Sequence, residues 1–165
     1  IAGWQRLSHN TSLLDCQFYP SCSQYGAIAI KENGILKGIP MTADRIVRCN
    51  PSAFFNQLHI RGGFHDADGR LIDHPTSHLI ASKKKSPTLA GILSAIVPGA
   101  GRVYAGRWFD GFMSFVMVYL TASSAIDASK RDNYFGKSFA YSMAVIFYTG
   151  EIYGAYRSAK YYQRQ

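Results

Sequence analysis

The sequence predicts a mainly α-helical protein, a small cysteine-containing helical module followed by a transmembrane helical hairpin. Three observations carry this. Composition breaks at Ser82-Lys83-Lys84-Lys85-Ser86-Pro87, mixed and polar before it and largely apolar after it. Two long apolar stretches, 108–129 and 138–156, are joined by the short polar linker KRDNYFGK. Upstream, helix start and stop signals frame a short helix that begins beside a cysteine. The predicted organisation is a Cys module at residues 1–80, a basic linker at 81–87 and a membrane module at 88–165.

The first helix is framed by Ser21 as N-cap and Gln24 three residues later, an S-x-x-Q capping box with Pro20 and Tyr25 at the staple positions. Asn33-Gly34 stops it. A second helix is expected to start near Pro40-Met41-Thr42 and run to Cys49, with Leu36 and Ile39 in the linker before it. Antiparallel packing of the two would bring Cys22, at the first turn of one, near Cys49, at the end of the other. Asp68-Gly69 reads as a hairpin turn.

In the second half, 88–101 is apolar but broken by Pro98 and three glycines. Its ~20 Å of helix falls short of a ~30 Å hydrocarbon core, so it reads as re-entrant or interfacial. The stretches 108–129 and 138–156 are long enough to span. Small residues (Ser114, Ala122, Ser123, Ala125, Gly150, Gly154) would let these helices approach closely. Flanking Lys and Arg, among them Arg102, Arg107 and Arg157, place both ends of the hairpin on the cytoplasmic side. Asp110 and Asp127 lie near span ends, where water or headgroups would reach them. Glu151 is deeper and needs a partner, and is read as a satisfied polar residue rather than a proton site. The glycine-rich VPGAGRVYAGR lacks the context of a phosphate loop and reads as a tight turn with closely packed backbone.

Hydrophobic residues make up 47% of the 165 and charged residues only 17%, with a net charge of +8. The excess is shared evenly between the halves, and no helix combines Arg/Lys with Asn/Gln for base reading, which disfavours nucleic acid. The first residue, Ile1, implies a processed or excerpted form with an upstream segment. Three cysteines, Cys16, Cys22 and Cys49, leave several chemistries open. The C-x5-C spacing is a weak zinc signal, C-x-x-C is absent, and a cytoplasmic face disfavours a disulfide. Small buried thiols that help to lock the module are the plainest reading. No paired carboxylates or Ser-His-Asp arrangement can be argued from spacing, and no cofactor is expected.

Residues 16–51, CQFYPSCSQYGAIAIKENGILKGIPMTADRIVRCNP, resemble the signature of the YidD family, the membrane protein insertion efficiency factors once called the haemolytic domain. The matching positions are Cys16, Phe18, Tyr19, Pro20, Cys22, Ser23, Tyr25, Ala29, Gly34, Lys37, Gly38, Arg45, Arg48, Cys49 and Pro51. Gln17 and Ser21 depart from it, the latter keeping the capping role. The family's later G-G-x-D-P is echoed loosely by Gly62-Gly63-Phe64 and by Asp73-His74-Pro75. The second half is similar to TM2-type two-helix membrane modules with a glycine-rich lead-in. The resemblance implies a small, basic, non-enzymatic accessory protein of the bacterial inner membrane, working near the Sec and YidC machinery. Arg45, Arg48, Lys83, Lys84 and Lys85 are the residues expected to dock on anionic lipid or on such a partner. Two rival expectations are a membrane-lytic protein and a zinc or thiol enzyme built on Cys16, Cys22 and Cys49.

Overall fold

Ser21 opens the first helix as the capping box requires. Its side chain accepts from the backbone of Gln24, whose own side chain accepts from the Ser21 amide. The computed structural model describes residues 18–50, 53, 70–75, 85–130 and 133–161. Within them a short strand β1 (Phe18–Tyr19) precedes helices α1 (Cys22–Asn33) and α2 (Ile35–Arg48). Strand β2 (Leu71–Ile72) then pairs in parallel with β1, Phe18 opposite Leu71 and Tyr19 opposite Ile72. Four more helices follow: α3 (Pro87–Ile96), α4 (Ala100–Tyr104), α5 (Trp108–Ser129) and α6 (Tyr134–Tyr161). The mainly α expectation holds. The Asp68-Gly69 turn lies outside the described residues.

Helix α2 begins five residues earlier than expected and carries Pro40 inside it. Gly34, at φ 75°, ends α1 and starts α2 without a linker, a backbone geometry that favours glycine. Pro40 removes only the bond to the carbonyl of Leu36, in the first turn of α2. The pair then runs antiparallel at very close range. A Cβ on Gly38 would lie 2.6 Å from the Ile30 Cα, and one on Gly26 would lie 3.0 Å from Thr42. Tyr25 and Ala29 of α1 and Met41 of α2 form a small core, against which Tyr153 of α6 packs.

Pro87 at the first turn and the Ser86 side chain on the Leu89 amide start α3. The glycine-rich turn after it is a close backbone crossing, as expected: Gly99 has φ 89°, and a Cβ there would meet the Gly111 carbonyl at 2.2 Å. Helix α5 runs over 108–129, the expected boundaries, and is the one described helix long and apolar enough to cross a membrane. Helix α6 is longer than the expected 138–156 span and does not qualify. Its tyrosines and Glu151 dilute the apolar run, and residues around 150–159 are buried against the rest of the protein rather than turned outward. At 28 residues it is about 42 Å long, more than a hydrocarbon core requires.

The two halves are packed into each other, not merely tethered. Helix α2 lies along α6 and reaches α5, and α3 and α4 also pack on α6. Gly150 and Gly154, expected to serve the α5–α6 hairpin, instead admit the first half. A Cβ on Gly150 would press on Ala43 of α2 at 2.5 Å, and one on Gly154 would fall 2.2 Å from Asp44.

Candidate functional site

The buried centre of this protein is ionic. Among described residues the largest fully buried side chains are Arg45, Arg48 and Arg102, while the apolar clusters are small and alanine-rich. Arg45 and Arg48 lie one turn apart at the end of α2, where their side chains reach the β1–β2 ribbon. Arg45 donates to the backbone carbonyls of Asp73 at 2.8 Å and Pro20 at 2.9 Å. Its guanidinium lies 4.1 Å from the Phe18 ring centre and 4.6 Å from that of Tyr25. The two signature aromatics thus form an arginine socket, a cation–π arrangement that gains strength when desolvated.

Arg48 bridges two carboxylates, Asp44 at 2.9 Å and Asp73 at 2.6 Å. Arg157 of α6 contacts the same pair, Asp44 at 3.2 Å and Asp73 at 3.1 Å. Arg102 of α4 lies 2.7 Å from Asp44 and 2.6 Å from Glu151. Glu151 also accepts from the Ser94 hydroxyl at 2.8 Å and the Gly99 amide at 3.0 Å. Beside this, Asp110 of α5 pairs with Arg107 and accepts from Asn50 at 2.6 Å. Each buried charge therefore has an opposite charge against it, which is what makes its burial tolerable.

The electrostatics follow from this crowding. Burial pushes the Asp44 carboxyl up, but the guanidiniums of Arg48, Arg102 and Arg157 outweigh it and hold it well below the usual carboxylate range. Asp73 behaves alike: burial raises it, and Arg48, Arg157 and Arg45 overcome that and drive it far down. Burial pushes the Tyr25 hydroxyl up. These carboxylates are permanently charged anchors, unsuited to moving protons near neutral pH.

Several expectations need correction. Arg45 and Arg48 do not form a lipid-facing surface: they are 0% and 1% exposed and engaged by Asp73, Asp44 and Phe18. Asp110 is not hydrated at a span end but fully buried on Arg107 and Asn50. Arg102, Arg107 and Arg157, read as flanking charges, are buried instead: Arg102 and Arg157 share Asp44, and Arg107 pairs with Asp110. Glu151 is a satisfied polar residue, as expected, and Asp127 is exposed beside Lys130.

The remaining signature residues surround the socket. Phe18 packs with Leu71 and Ala53, and Cys49, at the α2 C-cap, lies against them. Pro20 supplies its carbonyl, Ser23 sits beside Ser21 with their hydroxyls 3.2 Å apart, and Tyr19 is 40% exposed. Gly38 allows the α1–α2 contact. Cys22, a half-buried free thiol, opens α1 at the end of the hairpin where α2 finishes. Cys16, Pro51, Lys83 and Lys84 lie outside the described residues. Lys85 is exposed, with its ammonium on the Tyr104 carbonyl and 5.1 Å from that ring. Among the described residues no three His, Cys, Asp or Glu side chains converge as a metal site.

Sequence reasoning missed Asp44 altogether. Its spacing of four residues to Arg48 on one helix face was the available signal. It noticed Asp73 only as a loose echo of a family motif.

Residues 1–56 match a family model described as "Putative membrane protein insertion efficiency factor". Curated proteins of that name share the same region. One from an Exiguobacterium species is 47% identical over 51 residues, 31% of this chain and 57% of that protein. One from Streptomyces avermitilis is 58% identical over 45 residues, 27% of this chain and 38% of its own length. One from Francisella tularensis subsp. tularensis is 50% identical over 36 residues, 22% and 51%. The chain thus spans about half or less of the relatives it matches. No solved structure matches it.

Proposed function

We propose, on the premise that the chain carries a YidD-family domain at residues 1–56, that the protein is a non-enzymatic accessory factor aiding insertion of proteins into the bacterial inner membrane. The observation that carries the membrane part is the inverted polarity of the fold. Arginines fill the centre, while Ile92, Ile96, Trp108, Phe112, Phe115, Leu120, Phe139 and Val145 are about half exposed or more. In water so much outward apolar surface would be costly; in a bilayer it is the solvated face. Only 22% of the most apolar stretch of α5 is buried, unlike the core helix of a soluble bundle. Buried charges that face inward and pair with one another are likewise the tolerated arrangement at membrane depth.

In this reading Lys83, Lys84 and Lys85 lie at anionic headgroups, the α1–α2 half faces the cytoplasm, and α3–α6 act as a TM2-type module. The partner class is an insertase or translocon of the YidC and Sec kind. Depleting the protein from its host and following a pulse-labelled inner-membrane client should slow insertion severalfold. Photo-crosslinks from the exposed Tyr19 should reach insertase subunits. Normal insertion kinetics on full depletion would sink the reading.

A further inference from the structure

An open groove of about 490 Å³ runs between α2, α3 and α6, on the outside of the buried ionic centre. Leu36, Pro40, Ile92 and Ile152 line it, and Leu36 and Ile92 are 94% and 52% exposed. Lys37 and Tyr156 also line it, and among the described residues no carboxylate does. Lys160 stands beside Tyr156, its ammonium 5.7 Å from that ring and 5.2 Å from the Tyr161 ring. One apolar trough is thus flanked by two lysines and by tyrosines of the kind that settle at headgroup level. The two lysines beside an apolar trough make the groove complementary to an anion that carries a hydrocarbon chain.

We infer that this groove holds one anionic phospholipid, an acyl chain against Leu36, Ile92 and Ile152 and the phosphate between Lys37 and Lys160. The inference rests on the membrane-associated reading above, but its test needs no insertion activity. Lysine stems cover apolar surface while their ammonium groups stay at the polar boundary, which suits this placement. The acyl chain would cover Leu36, which the protein leaves open.

The test is native mass spectrometry of the detergent-purified full chain, titrated with dioleoyl-phosphatidylglycerol or with dioleoyl-phosphatidylcholine. The wild type should retain phosphatidylglycerol roughly tenfold better, as expected for two cations near one phosphate. Lys37→Gln with Lys160→Gln should remove that preference, mainly by lowering phosphatidylglycerol retention; Lys37 is exposed and Lys160 half-buried at the helix end, and an unchanged melting temperature checks that the fold is kept. Ile92→Trp should fill the trough and weaken both lipids, while glycerol phosphate without chains should not compete. Equal retention of the two lipids by the wild type, or an unchanged preference in the double variant, overturns the inference. So does a photo-crosslinker at Ile92 that captures a protein segment instead of lipid. Failure of the insertion assay with the lipid preference intact would instead count against the accessory role.

Discussion

Asp73 holds three arginines from two distant parts of the chain, which makes it the residue whose loss should be felt most. Asp73→Asn leaves Arg48 and Arg157 buried with less opposing charge, and breaking such pairs costs about 3–5 kcal/mol. A large fall in melting temperature in detergent should follow, whereas Asp127→Asn, exposed beside Lys130, should change little. The pH dependence has a definite sign. Asp44 and Asp73 are held below their ordinary value of 3.8, so their contribution is fully present above it and is lost as pH falls below it. Stability followed by thermal melts should be flat for these groups between pH 7 and 5 and drop below about 4. The socket was half legible in the sequence. Phe18, Tyr25, Arg45 and Arg48 stood out as a set, but whether the arginines faced water or carboxylate depended on Asp73, 25 residues beyond Arg48, and on Arg157, 113 beyond Asp44. Spacing cannot reveal partners that distant.

Helix α1 was readable because its signals are local: a capping box at one end and a glycine at the other. Helix α2 was misplaced at its start because Pro40 reads as a helix opening, and its tolerance inside the helix, one turn after the exposed Leu36, is a tertiary fact. The α1–α2 contact turns on Gly38. Gly38→Val would drive a side chain into the Ile30 backbone, which cannot yield by a rotamer change. Overpacking of this sort costs about 1–3 kcal/mol or more, and hydrogen exchange should show both helices less protected. Gly154→Ala should act differently, since its Cβ would meet the Arg102 guanidinium and the Asp44 carboxylate. It should loosen the first half from α6 while α1 and α2 keep their mutual protection.

At the scale of the molecule, composition revealed two halves but not their relation. A break at Ser82 to Pro87 reads as a linker, and linkers read as tethers. Nothing local announces that Asp44 of one half is shared by Arg102 and Arg157 of the other. The difference is measurable. With a protease site placed between residues 82 and 84, the cut halves should still co-purify in detergent. Asp44→Asn combined with Arg157→Gln should let them separate, and separation of the unmutated halves on cleavage alone would contradict the interlocked arrangement.

The shared carboxylate also sets an order in time. Synthesis runs at about 5–20 residues per second, so Arg157 follows Asp44 out of the ribosome after roughly 6–23 s. Through that interval the first half has its hairpin and its aromatic socket but not the cation that ties it to the last helix. Its native seat exists only after α6 has been made, so the most recognisable part of the chain, made early, should settle late. Limited proteolysis of chains arrested before and after residue 157 should find the first half protected only in the longer ones.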